Sequence, residues 1–265
     1  AEFFTLRRRM ALPSIVLLLA FLGSVMVGLI ALFADFVETS GDVTGALIVA
    51  SAALLTTGAA WLHWRRFMVP TTLAGGAAAA AGTVIALVMA ALGSAGLAEM
   101  PVFLTLVFVA GVAIFAFAMR WDISDPARET RRSDVAFWLH LLAAPMLAHP
   151  LFSLIGVTGG SGMGVLSAIG VLAIYIAFGL VALAIDRRAL LVSALAYVLF
   201  ALAFLFERFG AVELTFALTA LVIGSALLTL SAFWSPIRHS VVKGLPAHWQ
   251  SALPATLGEP SAVTA

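Results

Sequence analysis

Long apolar stretches alternate with short polar connections along almost the whole chain, and eight of the stretches are long enough to cross a bilayer. They run from Ala11 to Ala34, Val43 to Leu62, Val69 to Leu92, Pro101 to Met119, Val135 to Val157, Met163 to Ile185, Ala189 to Phe206 and Leu214 to Trp234. A helix needs about 20 such residues to span about 30 Å of hydrocarbon, where every backbone polar group must be paired within the protein. The pattern predicts an all-α, polytopic transmembrane helix bundle over residues 1–234. A polar tail follows over residues 235–265, rich in Pro, Ala and Ser, and its composition predicts a mobile segment.

Composition sharpens this picture. Of 265 residues, 63% are apolar and 10% charged, whereas a soluble domain is roughly half apolar and a quarter charged. A net charge of +1 leaves no basic excess for nucleic acid to neutralise. The absence of cysteine removes disulfides, thiolate metal sites, iron–sulfur clusters and covalently attached c-type haem. Lys243, in the tail, is the only lysine, so a retinal Schiff base within the membrane is excluded.

The cations also set a direction. Arg7 to Arg9, Arg65 and Arg66, Arg120 to Arg132, Arg187 and Arg188, and Arg238 with Lys243 place 13 of the 14 on one side of the eight spans. Arg208 is the exception, beside Asp35, Glu38, Asp42, Glu99, Glu207 and Glu213 on the opposite side. Short loops rich in Arg and Lys stay cytoplasmic, so both termini are expected there. The first span is too long for a signal peptide, and its basic flank fits a retained helix. Similar spacings recur: the first and fifth spans start 124 residues apart, and the Arg65-Arg66 and Arg187-Arg188 pairs lie 122 apart. This suggests two parallel four-helix repeats, over residues 11–119 and 135–234, related by an axis along the membrane normal.

Small residues indicate packing, because helices in lipid associate through close van der Waals contact. The run from Ala74 to Gly82 has small side chains on every face and predicts a central third helix. Phe103, Phe108, Phe115 and Phe117, with Phe200, Phe204 and Phe206, read as lipid-facing or gap-filling bulk.

Ionisable groups deep in a span are the default functional signal of a membrane protein. No Asp, Glu, Lys or Arg lies within the eight spans, which weighs against ion-coupled transport; only His140 and His149 do, both in the fifth. Nine residues separate them, two and a half helical turns, so they face opposite sides and cannot chelate one ion together; no metal site is expected. Pro145 and Pro150 interrupt the hydrogen-bond ladder of the same span and predict a broken helix whose freed carbonyls could meet a ligand. His140, Pro145, His149 and Ser153 are therefore candidate ligand-binding residues. Ser161 joins them from the glycine-rich loop Thr158 to Gly164, which could present backbone N–H groups to an anion.

Gly159, Ser161 and Gly162 fit a G-x-S-G pattern that resembles rhomboid intramembrane proteases. That family has its catalytic histidine on a later span, whereas the histidines after Ser161 are His239 and His248 in the tail, so no enzymatic activity is expected. Arg120, Arg128, Arg131 and Arg132, in the longest internal loop, are candidate contacts for anionic lipid or a partner. The string Phe137-Trp138-Leu139-His140 and the turn Arg65-Arg66-Phe67 resemble uncharacterised bacterial multi-span families, domains of unknown function, and the resemblance implies a bacterial inner membrane. The expected function is a non-enzymatic binding or scaffolding subunit of a membrane complex, surrounded by lipid and other membrane-protein subunits. Alternatives are a facilitator or exporter of a small neutral or amphipathic solute, and haem or pigment binding through the fifth-span histidines; the cofactor, if any, is unknown.

Overall fold

The computed structural model describes residues 2–7, 10–37, 41–97, 99–156, 164–208, 215–250 and 253. After a π-helical turn over Glu2–Arg7, the elements are α1 (Ala11–Phe36), α2 (Asp42–Phe67), α3 (Thr71–Leu97), α4 (Met100–Ile123), α5 (Arg131–Leu154), α6 (Val165–Ile185), α7 (Ala189–Arg208), α8 (Thr215–Ala232), α9 (Trp234–Lys243) and α10 (Ala247–Gln250). No strand occurs among the described residues. Seven helices are individually long and apolar enough to cross a membrane. The eighth expected crossing is counted only if α8 and α9, bent by 73° where they meet, form one broken span. At 18 residues α8 is about 27 Å long, just short of the hydrocarbon thickness.

The chain forms two compact units, residues 1–121 with 130–146, and residues 122–129 with 147–265. The division falls within α5, between Met146 and Leu147.

In the first unit α2 packs along α3, and α1 against α2. Small residues set how close these helices come. A Cβ added at Gly76 would lie 3.3 Å from the Cβ of Ala60 on α2, and one at Gly75 would lie 2.6 Å from Leu22 Cδ1 on α1. Further along the helix, Ala74, Ala77 and Ala81 join a buried cluster with Ala118 of α4 and Leu139 of α5. Within this unit α3 is thus central, because the small side chains allow contact on several faces. It is also kinked: Gly93 has φ +71°, a backbone conformation that side-chain-bearing residues rarely adopt.

The second unit has its core between the end of α5 and helices α6, α7 and α8. Phe152 stacks on Tyr197 at 4.2 Å, over Ala168, Val171, Ala194 and Val198. Among the phenylalanines read as bulk, Phe103, Phe117 and Phe200 are exposed, whereas Phe115 and Phe204 pack against buried clusters.

Two expectations are corrected. The fifth span is not broken: α5 runs as one helix through Pro145 and Pro150. A proline removes one N–H bond, and in a packed membrane helix its neighbours hold the local geometry. The start of the tail is not mobile either, since α9 is a helix packed on α6 with Trp234, Arg238 and Val242 buried along one face. Pro236 sits in its first turn, where its missing N–H would have had no intrahelical partner.

Candidate functional site

The polar chemistry of the second unit gathers at the turn Asp186-Arg187-Arg188, where α6 ends and α7 begins. Asp186 closes α6 in a left-handed conformation with φ 56°. Arg128 also has a positive φ, 57°, and its Nη1 donates to Asp186 Oδ2 at 2.6 Å. Its Nη2 reaches the carbonyl oxygens of Ile185 and Asp186 at 3.2 and 3.3 Å, covering acceptors that a helix end leaves open. Two of the three non-glycine residues with positive φ among those described are therefore ion-paired to each other. Strain of that kind persists only where surrounding contacts over-determine it.

Asp122 and Arg187 make the second pair. Nη2 donates to Oδ1 at 2.6 Å and Nε to Oδ2 at 3.3 Å, a two-pronged contact of a planar guanidinium with a carboxylate. The side chains are 1% and 10% exposed, so almost no water screens the pair. Asp125 is buried close by in sequence, and its Oδ1 accepts the backbone N–H of Glu129.

From α9, the Trp234 indole N–H donates to Asp186 Oδ1 at 2.7 Å, and Arg238 Nε lies 3.9 Å from the same oxygen. Burial pulls the Arg238 guanidinium below its ordinary pKa, and the charge of Asp186 opposes that shift. Asp186 thus receives donors from the 122–129 segment and from α9 while capping α6. The arrangement is a clasp: it ties three parts of one unit together with nearly balanced charge and leaves its carboxylates engaged by guanidinium and indole donors.

The expected ligand residues are dispersed. His140, in the first unit, is buried; its Nδ1 is 2.8 Å from the Ala136 carbonyl oxygen and its ring meets Phe115 edge-on at 5.2 Å. His149, in the second unit, is exposed, with Nδ1 2.6 Å from the Tyr197 hydroxyl. Pro145 is exposed and belongs to the first unit; Ser153 is half-buried in the second. Ser161 lies outside the described residues. Of the candidate lipid or partner contacts, Arg120, Arg131 and Arg132 are exposed, while Arg128 is drawn into the clasp.

Sequence reasoning missed two features. The buried charges of the clasp sit just past the ends of the apolar stretches, where cations are explained by topology alone. His63 fell one residue beyond the second expected span. In the structure α2 continues to Phe67 and buries His63, whose Nδ1 is 3.1 Å from Thr72 Oγ1 and whose ring lies between Phe21 and Phe67. The helical spacing of Thr56, Ala60, His63 and Phe67 carried that signal. A cleft of about 470 Å³ opens beside it, lined by Leu17, Phe21, Leu62 and Arg66 among others. Arg66 also pairs with Glu2 at 2.7 Å, and this hydrogen bond, with the charge of Arg66, lowers the carboxyl pKa of Glu2. Among the described residues no group of three or more His, Asp or Glu is placed to hold a metal ion.

Fold and site together define a polytopic, all-helical integral membrane protein whose buried charges are clasped at the connections between helices. No family model, curated protein or solved structure matches the chain.

Proposed function

We propose that the chain is a non-enzymatic integral protein of a bacterial inner membrane, both termini cytoplasmic, that acts as a binding or scaffolding subunit of a membrane complex. One observation carries this reading: the buried charges of the second unit engage one another at helix connections instead of converging on an open polar cavity. Catalysis or ion coupling requires titratable groups presented to a substrate, and a carboxylate held by a two-pronged guanidinium is poorly suited to that role. Long apolar faces support the same reading. The most hydrophobic stretch of α1 is only 11% buried and that of α4 17%, leaving wide surfaces for lipid or partner helices.

The facilitator alternative relied on a broken fifth helix lining a cavity. With α5 continuous it loses that element, and neither His149 nor Ser153 lines the cleft beside His63. Haem or pigment binding gains no support from His140, which is enclosed by packed side chains. Extraction from native membranes in mild detergent should bring down stoichiometric partner proteins. Recovery of the chain alone, with no partner by mass spectrometry, would count against the scaffold.

A further inference from the structure

Arg188 stands apart from its neighbours. Arg128 and Arg187 are ion-paired, and Arg238 lies 3.9 Å from Asp186, whereas Arg188 has no carboxylate within ion-pair distance among the described residues. Its guanidinium lies over the Trp234 ring, 4.5 Å from the centroid, and Nη1 is 3.4 Å from Ser231 Oγ. Stacking occupies a face of the guanidinium and leaves its in-plane N–H groups directed past the ring.

A cavity of about 240 Å³ begins at this cation. Arg188 and Ser231 stand where α7 begins and α8 ends, and Leu191, Leu195 and Leu227 continue the wall along the two helices. Tyr175 of α6 also lines it, its hydroxyl oxygen buried away from the cavity space. The volume is below the roughly 300–1,000 Å³ of pockets that enclose a whole ligand, so it suits one chain of a molecule lying mostly in the bilayer. A cation at the end of a span and an apolar wall leading away from it match a phosphate and an acyl chain.

We propose that this cavity between α7 and α8 holds one chain of an anionic phospholipid from the surrounding bilayer, with the lipid phosphate on Arg188 and Ser231. Basic pockets between membrane helices bind anionic headgroups in this way, and each cation near the surface adds about 1 kcal/mol of attraction, about fivefold in affinity.

Native mass spectrometry of the intact chain in detergent, with phosphatidylglycerol and phosphatidylcholine of identical chains, tests the assignment. Phosphatidylglycerol should be retained preferentially. Arg188→Gln should lower its retention about fivefold and narrow its preference over phosphatidylcholine, whose choline cation offsets the phosphate charge, while Arg188→Lys keeps the preference. Leu227→Trp, which fills the space beside the apolar wall, should weaken both lipids. Arg65→Gln, which removes a guanidinium that also stacks on a tryptophan but lies outside this cavity, should change nothing. Equal retention of the two lipids would overturn the proposal, as would Arg188→Gln behaving as the unmodified chain or displacement of the lipid by excess inorganic phosphate. Should Arg188→Gln fail to fold, Arg188→Lys and Leu227→Trp still decide: loss of preference in the first or unchanged retention in the second overturns it.

Discussion

Asp122 is held almost out of contact with solvent by both prongs of Arg187, so removing one partner strands a charge rather than merely deleting a contact. Breaking a buried pair from one side costs about 3–5 kcal/mol, while removing both partners costs much less. Asp122→Ala should therefore lower the thermal unfolding midpoint in detergent substantially, and the double change Asp122→Leu with Arg187→Met should recover most of the loss. Equal midpoints for Asp122→Ala and the unmodified chain would show the pair to be solvated. Legibility at this scale was limited by environment. Arg187, Arg188 and Arg128 are visible in the sequence as cations at span ends, but their different partners depend on which connections meet. His63 was closer to legible, since it continues the buried stripe of α2 one helical step beyond an apolar stretch that seemed to end at Leu62.

Helices were the most readable elements, because each apolar stretch is far longer than any soluble strand or core helix requires. Where the sequence misled, local and tertiary effects compete. Pro145 and Pro150 each disfavour a continuous helix, yet α5 continues through both, with Pro145 exposed and Pro150 buried. Small-residue packing was legible in kind, though not in its contact points. Ala60 Cβ has no freedom to withdraw from a side chain placed at Gly76, so Gly76→Ile should force α2 and α3 apart and cost upwards of about 1–3 kcal/mol. Gly58→Ala, on α2 with open space around it, should be neutral or stabilising by up to about 1 kcal/mol. A thermal melt of the two variants side by side checks the contrast; similar midpoints would mean that the α2–α3 contact is not tight. At the kink of α3, Gly93→Ala meets no steric neighbour but must adopt an extended backbone with positive φ that is essentially confined to glycine, and should cost about 1–3 kcal/mol. A midpoint raised by this change would show that α3 prefers to be straight there.

For the whole molecule, the alternation of cation-rich and acidic connections is the strongest determinant of arrangement, since translocating positive loops is opposed. The count of crossings turns on α8, which is short and bends sharply into α9. The bend falls at Phe233, ahead of Ser235 and Pro236, which already belong to α9, and nothing local fixes the 73° angle. The native lack of cysteine makes this arrangement directly measurable, since any single cysteine introduced is the only thiol in the chain. In intact cells treated with an impermeant thiol reagent, an eight-crossing bundle with both termini cytoplasmic predicts that Ser133→Cys and Ser240→Cys stay unlabelled until the membrane is opened. Ser40→Cys, Ser161→Cys and Ala211→Cys should be labelled at once. Protection of Ser161→Cys together with labelling of Ser133→Cys or Ser240→Cys would contradict both the orientation and the number of crossings.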